Sequence, residues 1–538
     1  MSTWLERWEP ENQEFWKTQG KKHANKTLWV TTFGLILSFA TWFVMSAVIV
    51  KLPGLGFKFD TMQLFWLAAM PGLAGGTFRF IHTFLIPLYG TRVVITLSAF
   101  LKLVPMIWLA IAVQNPDTPY IQFLLISFLC GLGGGDFSSF MPSTSLHFPK
   151  RLQGFAMGLQ AGIGNFGVSL TQFITPWIIS FSLFGALGGL PQTQSKLEAV
   201  SGVQIIKESG IVRDIVFKDE KLKQDISIIK AGSEIKSVSS ISAEYSVDIT
   251  KNTNGSLTDV KIQKKSTGSL WLQNASLWYI PLLIFAGFMS WYYLRSIRIQ
   301  KPSLRNMVAN MTNTKHAWFC VITYIMTFGS FSGLAAAFPI MIKTIYGGFE
   351  GAPDPLMYAF LGPLIGSLIR ALMGTLSDKF GGSIWLMISG LGLIIGCLVL
   401  IFGGLLTPDS IEKFPIFVFT MLWIFLMSGI GNAATFRQYP IIFAFSPLQG
   451  AQILGWTGAW AAYGPFIFSM LIGTSITAYG SAKPFFWGAL LFYGVATYIN
   501  WHFYTKPGSE RFDWGTKWGT WWDKALHTWD QPMKQEQN

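Results

Sequence analysis

The sequence predicts an all-α polytopic membrane protein, with about twelve transmembrane helices in two pseudo-symmetric six-helix bundles and an exterior insertion between the fifth and sixth helices. Three observations carry this reading. Of the 538 residues, 51% are hydrophobic and only 12% charged, well below the roughly one-quarter charged share of soluble domains. Apolar runs of about 20 residues, each long enough to cross a hydrocarbon core as a helix, recur from Leu28 to Phe503. The second half also echoes the first. Arg79 through Gly90 matches Arg370 through Gly381, and GLQAGIGNFG from Gly158 aligns without gaps on GWTGAWAAYG from Gly455.

Residues 1–27 mix charges with Trp4, Trp8 and Trp16, which suits a cytoplasmic segment resting at the headgroup level. They lack the basic start and short apolar run of a signal peptide. Residues 28–190 are expected to hold helices 1–5 of the N-terminal bundle. The second span buries Arg79 and, on nearly the same face, His82; a charge at that depth faces the protein interior, because lipid would penalise it. The fourth span sets Asp136 among glycines with Phe137 beside it, and such an acid is expected to hold its proton more tightly than usual unless a cation such as Arg79 or Arg370 is near. Gly154, Gly158 and Gly162 recur every four residues in the fifth span and predict a smooth stripe for close helix packing. Gly164 and Gly167 continue the small surface around Asn165, whose amide belongs at a partner or cavity.

Residues 191–270 change character, with balanced charges and short β-branched pieces, and read as an exterior insertion containing strands. Helix 6 is expected at 271–296 and ends in the basic stretch RSIRIQKPSLR, which runs from Arg295 into a cytoplasmic inter-bundle loop at 297–316. From this loop the positive-inside rule places the insertion outside and both termini in the cytoplasm. Residues 317–504 hold helices 7–12, and 505–538 form a cytoplasmic tail carrying Trp514, Trp518, Trp521, Trp522 and Trp529.

The net charge of +13 is dispersed over loops and tails, which argues for membrane orientation and against nucleic acid as a partner. Cys130, Cys320 and Cys397 lie in apolar runs without paired spacing and read as buried thiols. No metal cluster, phosphate loop or nucleophile constellation is present, so no enzyme activity, metal or cofactor is expected. Two buried arginines at matching positions leave a positive centre. Guanidinium is planar and permanently charged, so it suits a small flat oxyanion, carboxylates included.

GLQAGIGNFGVSLTQ resembles the nitrate signature of the nitrate/nitrite porter (NarK-type) family within the major facilitator superfamily. FPKRLQGFAMG, LQNASLW, TYIMTFGSFSG, GSLIRALMGTLSDKFGG and GNAATFRQYPIIF are similar to other stretches of that family. The resemblance implies a major facilitator fold and transport of nitrate and/or nitrite across the inner membrane by alternating access. The carrier would be a nitrate/nitrite antiporter or a proton-coupled nitrate symporter, working as a monomer in the bilayer. It further implies that Arg79 and Arg370 clamp the anion, Asn165 and Tyr324 bond to it, and Phe137 and Phe328 flank its plane. Gly162, Gly164, Gly167, Gly455 and Gly458 would let helices slide, and Asp136 and His82 are the candidates for proton coupling. A proton-coupled carrier of another small anion and a non-transporting membrane anion sensor stay open as alternatives. The chain departs from the pattern at Asp136, where a neutral amide is expected, at Trp460 and Pro465 in the second signature, and at Pro87, where the matching loop has Asp378.

Overall fold

The computed structural model describes residues 3–513 apart from 201, 209, 232–233, 243, 252–255 and 299–303. The expected tail tryptophans, Trp514 to Trp529, lie outside the described residues. Eight helical stretches among the described residues are long and apolar enough to cross a membrane. Before the insertion run α1 (Lys21–Val48), α2 (Thr61–Leu101), α3 (Leu103–Ala112), α4 (Tyr120–Cys130), α5 (Phe137–His147) and α6 (Lys150–Ile178). After it come α7 (Tyr279–Tyr293), α8 (Lys315–Tyr324), α9 (Ser330–Tyr346), α10 (Leu361–Leu372), α11 (Gly382–Phe402) and α12 (Phe414–Ile442). The chain ends in α13 (Pro447–Ala461), α14 (Gly464–Tyr479) and α15 (Lys483–Asn500).

α2 opens on a capping box, in which Asp60 accepts from the Gln63 amide at 2.7 Å and Gln63 accepts from the Asp60 amide at 3.0 Å. Its 41 residues would span roughly 60 Å if straight, about twice a hydrocarbon core. Gly90 breaks it, at φ 79° and ψ 162°. Gly381, just before α11, takes nearly the same conformation at φ 97° and ψ 147°. Only glycine adopts that region without strain, so the arginine-to-glycine echo in the sequence corresponds to a repeated backbone break. Each break is tied down from the end of its own half. Ser296 Oγ accepts the Arg92 amide at 3.2 Å, while Asp513 Oδ2 accepts the amides of Gly382 and Ser383 at 2.9 and 3.3 Å. Asp513 is in turn ion-paired with buried Arg437 of α12.

The glycines of α6 do not act as one stripe. A Cβ on Gly167 would lie 2.2 Å from the Ile36 carbonyl oxygen of α1, and one on Gly164 would lie 2.6 Å from the Leu35 side chain. Gly162 faces Ala371 of the other half at 3.3 Å, whereas Gly158 has nothing within 4 Å. The close approach expected along the Gly154, Gly158 and Gly162 face is therefore made on the Gly164 and Gly167 face; Gly154's surroundings lie outside what is described. The physical reason is that Gly162 points across to Ala371 of the other half rather than into its own bundle, while Gly158 meets no neighbour at all. Trp16 is buried with Phe148 and Leu28, and Trp8 Nε1 donates to the Leu146 carbonyl at 3.0 Å, so this segment packs on the bundle. Cys130, Cys320 and Cys397 are buried and free.

Between α6 and α7, within the first half of the chain, the described residues form seven strands: β1 (Gln192–Ala199), β2 (Val203–Glu208), β3 (Ile211–Phe217), β4 (Ile226–Ala231), β5 (Glu234–Ser240), β6 (Tyr245–Lys251) and β7 (Leu257–Leu270). β1 pairs antiparallel with β7 from Gln192 opposite Leu270 onward, so the module leaves and re-enters the bundle at one place. β6 adds to the far edge of β7, and β2–β3 and β4–β5 are hairpins. Val212, Ile215, Leu222, Ile235, Leu257 and Val260 form a core separate from that of the helices.

At the end of the bundle that carries this module, the two halves are fastened together. Lys51 pairs with Asp354 at 2.6 Å, Lys343 Nζ donates to the Val50 carbonyl at 2.5 Å, and Gln172 donates to the Ala335 carbonyl at 2.8 Å. Toward the opposite end, Gly158 and Gly374 look onto open space.

Candidate functional site

Arg79 stands on α2 and is fully buried. Its Nε donates to the Gly134 carbonyl at 2.8 Å and its Nη1 to the Gly458 carbonyl of α13 at 2.6 Å, so this one side chain bridges the two halves. Nη2 has no hydrogen-bond partner in the protein. The guanidinium carbon lies 4.7 Å from the Phe137 ring centre, 5.1 Å from that of Phe328 and 5.3 Å from that of Trp42. Aromatic faces attract a cation without occupying its N–H donors, so they hold Arg79 while leaving Nη2 for something else.

Arg370 comes from α10 of the other half and is 6% exposed. Neither Nη1 nor Nη2 makes a hydrogen bond of good geometry, and its guanidinium carbon lies 4.7 Å from the Phe436 ring centre. Arg79 and Arg370 repel one another and both interact electrostatically with Tyr324, whose buried hydroxyl makes no well-formed hydrogen bond. The Tyr324 and Phe328 rings are stacked, with centroids 5.5 Å apart. Phe328 belongs to a π-helical turn, Ile325–Gly329, an irregularity found mostly where a helix serves a site. Phe436 joins the halves of this aromatic box, at 6.1 Å from Tyr324 and 6.4 Å from Phe137.

Asn165 follows Gly162 by about one turn of α6, on the side facing α10, and is 1% exposed with neither amide atom bonded. Leaving a buried donor or acceptor unbonded costs about 1–3 kcal/mol. Several such groups lie around the two arginines, each a donor or acceptor that a polar guest could bond. Gly458 gives the box its remaining wall, since a Cβ there would sit 3.7 Å from Arg79 Nη1 and 3.8 Å from Phe137. Gly455 faces Thr83 at 4.0 Å. Pro465 lies in the first turn of α14, where its missing N–H is harmless, and the helix breaks between Ala461 and Gly464 rather than kinking. Trp460 packs edge-on against Phe80 and Trp456.

Asp136 is not with the arginines. Its carboxylate accepts from Ser38 Oγ at 2.5 Å, from Ser98 and from Lys102, which is 2% exposed and forms an ion pair with it. His82 Nδ1 pairs with Ser139 Oγ at 2.5 Å and stands 3.8 Å from Asp136 Oδ1. The expectation that Arg79 or Arg370 offsets Asp136 is corrected by this cluster. Lys102 lies at the end of α2, beyond the Gly90 break, and folding back across α5 brings its ammonium to the acid. Reasoning from sequence missed Lys102, and also Phe436 and Asn432, the latter fully buried with neither amide atom bonded. A signal was available, because GGGDFSSF from Gly133 aligns without gaps on GIGNAATF from Gly429. Among the described residues no group of His, Cys, Asp and Glu could hold a metal ion.

No family model matches the chain. It is 44% identical over 510 residues to the probable nitrate/nitrite antiporter NarK2 of Thermus thermophilus, covering 95% of this chain and 98% of the relative. It is 31% identical over 526 residues to the nitrate/nitrite transporter NarU of Salmonella typhimurium, covering 93% and 96%. Its fold matches the crystal structure of a D-xylose-proton symporter with a TM-score of 0.55 at 13% identity, over 88% of this chain and 97% of that one. With two bundles joined around paired buried arginines, and with this identity along nearly its whole length, the chain belongs to the nitrate/nitrite porter family of the major facilitator superfamily.

Proposed function

We propose that this chain is a secondary transporter that moves nitrate and nitrite across the membrane by alternating access, exchanging one ion for the other. It is a multi-pass membrane protein and not an enzyme. Counting the 52-residue stretch Thr61–Ala112 as two crossings, and adding Lys150–Ile178, Leu356–Leu372 and Lys483–Asn500 to the other spans, gives twelve helices. The insertion then lies outside an inner membrane, and both termini lie in the cytoplasm. The carrier works as a monomer.

The observation that carries this reading is the set of unbonded donors on Arg79 Nη2 and Arg370 Nη1 and Nη2, one arginine from each half. A planar oxyanion placed between them receives hydrogen bonds from both guanidiniums in its own plane, while Phe137 and Phe328 bound it above and below. Asn165 and Tyr324 add neutral donors. Nitrate and nitrite are both small and flat, and they differ by one oxygen, so one site serves both. Bound anion offsets the repulsion between the arginines and draws the halves together. Without it, two like charges would have to be enclosed in a low-dielectric centre, which disfavours reorientation of the empty carrier. Exchange follows from that asymmetry. The glycines at 164 and 167 keep α6 tight on α1, while those at 158, 162, 455 and 458 leave room for the halves to rock.

Uptake of isotope-labelled nitrate into proteoliposomes tests the reading. Vesicles loaded with nitrite should take up nitrate rapidly, and vesicles without internal anion should take up little. Equal uptake in both would exclude exchange.

A further inference from the structure

We propose that Lys102 sets the ion coupling of this carrier: by holding Asp136 as a permanent neutral pair, it prevents a buried acid near the site from drawing protons into the transport cycle. This rests on the exchange reading above and assigns a role to a residue outside the anion site.

Polar groups of α1 and α2 face Asp136. α1 supplies Ser38 Oγ at 2.5 Å; the first part of α2 supplies His82, 3.8 Å away; the part beyond Gly90 supplies Ser98 and Lys102. Lys102 Nζ also donates to Ser98 Oγ at 3.0 Å and lies 5.8 Å from the Phe140 ring centre. The Arg79 guanidinium is turned to the carbonyls of Gly134 and Gly458 instead. Lys102 is thus the cation that answers Asp136, and both are buried.

The other half contains the same cluster without the charges. In the alignment of GGGDFSSF on GIGNAATF, Asn432 stands for Asp136 and Phe436 for Phe140. Counting from the equivalent breaks at Gly90 and Gly381, Ser389 stands for Ser98 and Leu393 for Lys102. Ser389 and Thr327 do gather at this place, because a Cβ on Gly431 would meet Thr327 Cγ2 at 2.3 Å and Ser389 Oγ at 2.4 Å. Acid and base are present together in one half and absent together in the other. Electroneutrality is the common property, which a proton-carrying acid would not need.

Without Lys102, Asp136 would be a buried carboxylate facing Ser38, Ser98 and His82 with no cation in contact, and enclosing an unpaired carboxylate favours its neutral form. A proton taken up by the carboxylate with the anion at one face of the membrane would be released with it at the other, and His82, 3.8 Å away, is the nearest other titratable group. Since Asp136 precedes Phe137 and follows the Gly134 carbonyl that holds Arg79, its charge state would then be felt at the anion site.

The test compares the parent, Lys102→Leu and the double variant Asp136→Asn/Lys102→Leu in proteoliposomes, measuring nitrite-driven exchange and net nitrate uptake into anion-free vesicles between about pH 5 and 8. The parent should exchange with little pH dependence. Lys102→Leu should gain net uptake that depends several-fold on pH, largest where Asp136 keeps the charge that offsets the arginines of the empty carrier and falling toward the parent's level as the carboxylate is protonated, and the double variant, copying the neutral half, should return to the parent profile. Should Lys102→Leu not insert, Lys102→Gln keeps a donor without the charge and should behave in the same way. A flat profile for the single variants, or a double variant that stays pH-dependent, overturns the role of Lys102 while leaving exchange intact. A parent that moves no nitrate takes down the exchange reading as well.

Discussion

Replacing Arg79 or Arg370 with lysine is expected to remove most nitrate transport while leaving the protein folded and inserted. Lysine keeps the positive charge but offers a compact ammonium in place of the planar fork. At Arg79 it would have to replace donors to Gly134 and Gly458 as well as the one facing the guest, and a single ammonium cannot reach all three. Losing one charge-assisted hydrogen bond costs about 1.5–3 kcal/mol, which corresponds to roughly 10- to 150-fold in affinity. Arg79→Lys should be the more damaging of the two, because it also loosens the bridge between the halves; Arg370 has no such carbonyl contacts. The assay is exchange in proteoliposomes, with thermal unfolding in detergent as the check on folding. Near-normal exchange by both variants would mean that the site needs only a positive potential.

Gly167→Ala should be severely destabilising, and Gly158→Ala should not. One methyl on Gly167 would be driven to 2.2 Å from a backbone oxygen of α1 and 2.8 Å from the Ala40 nitrogen, neither of which can rotate away. The helices must separate along a packed seam, which costs about 1–3 kcal/mol or more. Gly158 has open space around it, and alanine is the better helix former by about 1 kcal/mol. Thermal unfolding of the two purified variants checks this, with a drop of several degrees expected for the first alone. Equal midpoints would show that α6 does not lie against α1 as described.

The repeat of the two halves was legible in the chain because it is written in residues with strict backbone or charge demands. Arg79 and Arg370 each precede a glycine held at positive φ, and that pairing survives in a sequence as two letters at a fixed distance. The strand-bearing module was legible from the loss of apolar runs. The partner of Asp136 was not. Lys102 stands 34 positions away and reaches the acid only because the chain folds back after Gly90, and tertiary adjacency of that kind leaves no local periodicity. The direction of the glycine faces was hidden for a related reason. Spacing says which residues share a face of α6, but only packing says that Gly167 meets α1 while Gly162 looks across to Ala371. Asn432 and Phe436 lay inside GNAATFRQYPIIF, a stretch noticed for its resemblance, and their place beside Arg370 depends on how α12 is rotated against α10.

The central claim is that one flat anion is held by both arginines at once. A structure of the protein determined in saturating nitrate tests it most directly. The account predicts a single planar density between Arg79 Nη2 and the terminal nitrogens of Arg370, lying between the Phe137 and Phe328 rings, with Asn165 turned to bond it. Nitrate bound to one arginine alone, or at a place that touches neither, would contradict it.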